Sequence, residues 1–148
     1  MTRRKTISRR RGRGFTLIEA LVALLALSIG LLGVAALQLS GLRNNLSAAW
    51  RSQATYLSYD IIDRIRANRD RRTNYTCALG AVPAASVGAP VAQNDLAEWK
   101  ANLAAALPGG DGTVTVNGAD NTTVIVTVEW SDERGGAAKI SFQTMSRI

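Results

Sequence analysis

From Phe15 to Leu37 the chain runs for 23 residues in which only Thr16, Glu19, Ser28, Gly30 and Gly33 depart from apolar side chains. A helix of that length reaches about 35 Å at about 1.5 Å per residue, enough to cross a hydrocarbon layer of about 30 Å. The flanks orient it. Residues 1–14 hold Arg3, Arg4, Lys5, Arg9, Arg10, Arg11 and Arg13 and no acid, whereas the fifteen residues after the span hold only Arg43 and Arg51. That asymmetry predicts an N-terminal end kept in the cytoplasm and a remainder that is exported.

Several kinds of leader could begin this way. A secretory signal has an apolar core of only about 7–15 residues and a small-residue cleavage site after it, and this span is longer and ends in "GVAAL". A twin-arginine signal is weakened by Gly12 in "SRRRGRGF", where a bulky apolar residue is expected. A plain signal anchor fits the length but gives no reason for Glu19. An acid deep in a membrane helix costs about 2.5–3.5 kcal/mol, softened near the interface by snorkelling, and by default marks a functional position with a partner to be named. No cation follows within the span. The nearest candidate is the α-amino group that cutting the chain before Phe15 would create, on this molecule or on a neighbour.

The net charge of +7 belongs to the leader. Past residue 14 the chain carries eleven cations against eleven acids. A basic nucleic-acid-binding domain is therefore not supported. With one cysteine, Cys77, and no histidine, an intrachain disulfide, the familiar zinc sites and histidine-based triads are excluded.

Gly14-Phe15-Thr16-Leu17-Ile18-Glu19, behind a short basic leader and ahead of about twenty apolar residues, resembles the class III signal of type IV prepilins. The resemblance implies cleavage after Gly14 by prepilin peptidase on the cytoplasmic face and methylation of the new N-terminal Phe15 by the same enzyme. It further implies that Glu19 is the acid retained for assembly into a filament. Removing the leader frees the helix from the cytoplasmic face, and Glu19 could neutralise the new amine as helices leave lipid for a bundle. Breaking such a pair in a low-dielectric bundle typically costs about 3–5 kcal/mol.

Beyond Leu37 the apolar positions thin to a stripe of Leu39, Leu42, Leu46, Ala49 and Trp50, Ala54, Leu57, Ile61 and Ile65, at helical steps of three and four. No proline interrupts the run before Pro83, so one helix is predicted from about Phe15 to Arg71. Arg64, Arg66, Arg69, Arg71 and Arg72 complement the negative end of its dipole, and the interleaved Asp60, Asp63 and Asp70 predict a salt-bridged end rather than a lipid- or DNA-binding patch. The block "RSQAT" followed by "DIIDRIRANR" is similar to PilV-type minor pilins. With the leader, the resemblance spans about residues 12–72.

Residues 73–93, rich in Gly, Pro, Ala and Ser, read as a connecting loop in which Cys77 is a buried small residue, with an intermolecular disulfide as the alternative. Asp95 to Leu107 reads as a short helix, opened by an Asp95–Glu98 capping box, with Leu96, Trp99, Leu103 and Leu107 on one face, and stopped by Pro108-Gly109-Gly110. Residues 113–116, 122–130 and 139–145 alternate as strands. Val124, Val126, Val128 and Trp130 share one face, Ile140 and Phe142 point inward, and turns fall at Asn117-Gly118 and at 132–136. A sheet of this size needs a cover. The stripe from about Trp50 to Ile65 is predicted to supply it.

The expected fold is α+β and pilin-like: a long N-terminal helical spine with a three- to four-stranded antiparallel sheet packed on its second half. Four parts are expected: a basic leader (1–14), an apolar membrane-spanning or filament-core helix (15–37), its amphipathic continuation (38–72), and a globular remainder (73–148). No nucleophile–base pair, metal-ligand set or cofactor motif stands out, so the expectation is a building block and not an enzyme. The resemblance implies a minor subunit of a bacterial type IV pilus. Its partners would be prepilin peptidase/methyltransferase, a major pilin and other minor pilins, an inner-membrane assembly platform, and membrane lipid before assembly. Its place would be the inner membrane and then the pilus at the cell surface. The rivals are a minor pseudopilin of type II secretion and a plain signal-anchored adhesive module.

Overall fold

The computed structural model describes residues 14–117, 122–131 and 139–148. The basic leader up to Arg13, Gly118 of the predicted Asn117-Gly118 turn, and the predicted turn at 132–136 lie outside the described residues. The chain divides into two compact units, one ending at Leu42 and one running from Arg43 to Ile148. Helix α1, Leu17–Ala67, contributes to both.

In the first unit α1 is built almost wholly from Leu, Ala, Val and Ile, with no proline, so nothing breaks its hydrogen-bond ladder. The hydroxyl of Ser28 is satisfied within the helix by donating to the Leu24 carbonyl at 2.7 Å. Apolar side chains project on every side and are exposed from Phe15 through Leu42. A helix apolar all round has to be covered by lipid or by other protein.

In the second unit α1 buries Ala54, Leu57, Ser58, Ile61, Ile62 and Ile65, with Trp50 partly buried against the same core. This is the predicted cover. Leu46 and Ala49, which the stripe also contains, remain exposed. Ser58 is tolerated in the core because its hydroxyl donates to the Ala54 carbonyl at 2.7 Å.

The helix ends at Ala67 rather than Arg71, and a 3-10 helix, Arg69–Tyr75, follows with non-helical backbone at Arg71. The cause lies in what comes next. Tyr75 is fully buried, and Cys77 pairs with Val114 through two backbone hydrogen bonds of 2.9 and 3.0 Å. An α-helix continued to Arg71 could not turn back in time to place both. The segment predicted as loop thus begins with structure of its own.

Helix α2 spans Val91–Ala106 with Pro90 ahead of it. The predicted Asp95–Glu98 capping box is not what starts it. Pro90 does, its fixed φ suiting the helix entrance and its carbonyl accepting the N–H groups of Gln93 and Asn94. Asp95 lies a full turn inside, where its carboxylate is used otherwise. At the far end Gly109 takes a positive φ of 59° and the helix stops as expected.

Strands β1, Asp111–Asn117, β2, Thr123–Ser131, and β3, Lys139–Arg147, form one antiparallel sheet in the order β1-β2-β3. Val124, Val126, Val128 and Trp130 are buried on its inner face, and Ile140 and Phe142 are half-buried beside them, matching the alternation in the sequence. Leu96, Trp99 and Leu103 of α2 complete the core, and the Trp99 indole N–H donates to the Leu57 carbonyl at 2.9 Å. Gly112 makes room for that indole: a Cβ there would stand 2.6 Å from Trp99 and 2.9 Å from the Thr127 carbonyl oxygen. The result is an α+β, pilin-like layout of a long apolar N-terminal helix followed by a three-stranded antiparallel sheet.

Candidate functional site

At the head of α1, Gly14, Phe15 and Thr16 stand outside the helix, which begins at Leu17. The Thr16 carbonyl accepts the Ala20 N–H at 3.1 Å, and its hydroxyl accepts the Glu19 N–H at 3.3 Å. Those two bonds define Thr16 as the cap of α1 and satisfy a donor that the first turn would otherwise leave open. Glu19 lies in that first turn. A negative charge there is favoured by the positive end of the helix dipole. Its carboxylate is exposed and has no partner among the described residues. Phe15 is 74% exposed and Leu17 87%. The sequence-predicted residues Gly14, Phe15 and Glu19 therefore sit together at one helix end, with Thr16 between them. Thr16 was the functional candidate that sequence reasoning missed. Its signal was present as the Thr-x-x-Glu spacing of a capping box, hidden inside a run read only for its acid.

The charged groups of the second unit are occupied in tying it together. Arg64 gathers three carboxylates: Glu98 at 2.8 Å, Asp60 at 3.1 Å and Asp95 at 3.5 Å. The hydrogen bond to Glu98 is the largest influence raising the Arg64 pKa, burial opposes it, and the charges of Asp60, Glu98 and Asp95 add to it. The same contact holds the Glu98 carboxyl below its ordinary value. Asp95 also accepts the Tyr75 hydroxyl at 2.5 Å. Burial first, and that bond second, push the Tyr75 phenol up to about 12. Arg66 bonds Asp63 at 2.8 Å and the Ser146 hydroxyl at 2.8 Å, joining α1 to β3. The helix end is salt-bridged, as the interleaved acids predicted.

A second clamp holds the chain after Cys77. Lys100 reaches Asp111 at 2.5 Å and the Ala78 carbonyl at 3.0 Å, while the Gly80 N–H donates to Asp111 at 2.6 Å. Burial alone would raise the Asp111 pKa, but the Lys100 bond and the N–H groups of Gly80 and Gly112 outweigh it and hold the carboxyl low. Cys77 is buried, as expected, and burial pushes its thiol up. It borders an open hollow of about 460 Å³ lined by uncharged side chains; the Lys100 charge pulls the thiol pKa down, but burial outweighs it.

The family model described as the prokaryotic N-terminal methylation motif matches residues 9–35. This supports a pilin-type protein. The matched stretch takes in the end of the basic leader, Gly14, Phe15, Thr16, Glu19 and most of the apolar run. The motif suggests a structural subunit rather than an enzyme, and with the long apolar helix it agrees with anchoring in a membrane. No curated protein and no solved structure matches the chain.

Proposed function

We propose that this chain is a minor subunit of a bacterial type IV pilus, of the PilV type. It is made with a basic leader, residues 1–14, that is removed after Gly14 by prepilin peptidase at the cytoplasmic face of the inner membrane. Phe15 becomes the methylated N-terminus. The apolar helix, residues 15–37, waits in lipid and then packs among the helices of a major pilin and other minor pilins, delivered by an inner-membrane assembly platform. Residues 38–72 continue the helix, and residues 73–148 form the exported globular part.

One observation carries this reading. The methylation motif takes in most of the apolar stretch, residues 15–37, whose single charged side chain, Glu19, has no partner among the described residues. Such a helix is stable in lipid only at a cost, and that cost is lifted when the acid meets a cation. Cutting before Phe15 makes one. The amine of a neighbouring subunit then fixes the stagger between helices, so Glu19 sets register rather than catalysing anything.

The motif also belongs to the leader logic of minor pseudopilins of type II secretion. The "RSQAT" and "RANR" blocks of α1, residues 51–55 and 66–69, are what favour the pilus. The test is recovery of the chain in sheared surface filaments. The wild-type chain is expected in the filament fraction, and Glu19→Ala is expected to be processed yet to stay in the membrane fraction, reduced in filaments by about tenfold or more, the equivalent of about 1.4 kcal/mol or more. Equal recovery of Glu19→Ala in filaments would remove the role given to the acid.

A further inference from the structure

We propose that Thr16 is a positioning residue for processing: by capping α1 it holds the Gly14–Phe15 peptide outside the helix, at a fixed distance of two residues from its start. This rests on the reading that the chain is cut between Gly14 and Phe15.

The physical problem is one of access. A peptide bond inside a helix has its N–H and C=O committed to the ladder, whereas a peptidase has to lay the backbone open to reach the carbonyl carbon. At this end of α1 the pressure runs the other way. From Leu17 to Leu27 the chain is mostly Leu and Ala, the strong helix formers, and an apolar environment favours every additional internal hydrogen bond. Phe15 has no property that would keep it out of such a helix. What marks the boundary is Thr16, whose hydroxyl takes the Glu19 N–H at 3.3 Å while its carbonyl takes the Ala20 N–H at 3.1 Å. With the boundary pinned there, the Gly14 and Phe15 carbonyls accept no helical hydrogen bond among the described residues. Without the hydroxyl the first turn loses a satisfied donor, the boundary wanders, and the cut site no longer keeps one distance from the helix.

The pairing of Thr16 with Glu19 also divides two tasks. In a complete capping box the acid would reach back to the N-cap backbone N–H. Here only the hydroxyl arm is made, and the Glu19 carboxylate remains exposed. Capping is thus done by a neutral group, and the charge is left available for another molecule.

The experiment compares full-length wild type, Thr16→Val, Thr16→Ser and Thr16→Asn in phospholipid–detergent micelles with a prepilin peptidase, alongside hydrogen exchange at the Ile18 and Glu19 amides in the same micelles. Thr16→Val keeps the shape and removes the cap. It is expected to lower kcat/KM by about fivefold, within about two- to thirtyfold, the ratios equivalent to a lost helix cap. The loss should fall in KM, because the docked chain is cut in the same geometry once bound. Thr16→Ser and Thr16→Asn cap well and are expected to stay within about twofold of wild type. In the valine variant alone Ile18 amide exchange should slow, because the lengthened helix gives that N–H the Gly14 carbonyl, while the Glu19 amide passes from the lost hydroxyl to the Phe15 carbonyl and stays protected. Wild-type kinetics in Thr16→Val overturn the proposal while leaving cleavage intact. A slowed Thr16→Val whose Ile18 exchange is that of the wild type also overturns it, because the enzyme then reads the hydroxyl directly. An uncut wild type removes the cleavage reading itself, and this proposal with it.

Discussion

Arg64 shows how one side chain can set the stability of a small domain. Its guanidinium answers three carboxylates from two helices, Asp60 on α1 and Asp95 and Glu98 on α2. Removing it leaves those acids facing one another without a cation. Arg64→Met, which keeps the aliphatic stem, is expected to lower unfolding stability by about 1–2 kcal/mol in urea titration, between the values typical of exposed and of buried pairs. Tyr75 gives a test at the other end of the pH scale. Its folded pKa, about 12 because of burial and the bond to Asp95, lies above the usual tyrosine value of about 10. The protonated phenol is therefore favoured in the folded state. Its contribution to stability is complete below about pH 10 and is lost as the pH rises from there through about 12. A tyrosinate absorbance step near pH 12 is expected in the wild type and should vanish in Tyr75→Phe, which should also flatten the alkaline loss of stability.

Among the elements, β3 makes the sharpest prediction because its hydrogen-bond parity can be worked out. The Ile148 N–H donates to the Thr122 carbonyl at 2.9 Å, one step beyond the Arg147–Thr123 pair. Hydrogen-bonded pairs in an antiparallel ladder alternate, so even-numbered residues of β3 bond to β2 and odd-numbered ones present their N–H and C=O to the outer edge. Thr144→Pro should remove a ladder bond and cost about 1–3 kcal/mol, whereas Gln143→Pro, one residue away, should cost much less. Equal losses would mean the parity is wrong. Gly112 belongs to the same scale: it is the close approach of Trp99 to β1 that forbids a larger residue there.

The strands were the most legible part of the sequence because a period of two is the whole signal, and Val124, Val126, Val128 and Trp130 display it without interruption. The cover from Trp50 to Ile65 was legible for the same reason at a period of three to four. The boundaries were not. In "RIRANRDRR" the local stop is a weak one, Asn68 directly after Ala67; the burial of Tyr75 and the pairing of Cys77 with Val114 add to it from a distance. The start of α2 is not legible in the same way, because the acid pair at capping spacing points to Asp95, whereas Pro90 opens the helix and Asp95 serves Tyr75 and Arg64. At the candidate site Gly14, Phe15 and Glu19 are named by the resemblance to prepilins, carried onto them residue by residue. For Thr16 the sequence offers only the Thr-x-x-Glu spacing; the bond that its hydroxyl makes is visible in the structure.

For the whole molecule the decisive property is how charge is distributed along the chain. The seven cations of the leader account for all of the +7, and the rest is formally neutral with eleven charges of each sign. Cutting after Gly14 would therefore change the protein in one step, from a chain held by its basic end at a membrane face to a neutral one whose first charge is a new amine. The second unit has its own core and its own ion pairs, and gains nothing from that step. Everything proposed for the first unit depends on it. The most direct measurement is the intact mass of the chain purified from the membranes of cells that make a prepilin peptidase, with fragmentation from the N-terminus. The expected result is a chain that starts at Phe15, lacks residues 1–14 and carries one methyl group on its terminal nitrogen. A chain that still begins at Met1, or one cut elsewhere, would contradict it.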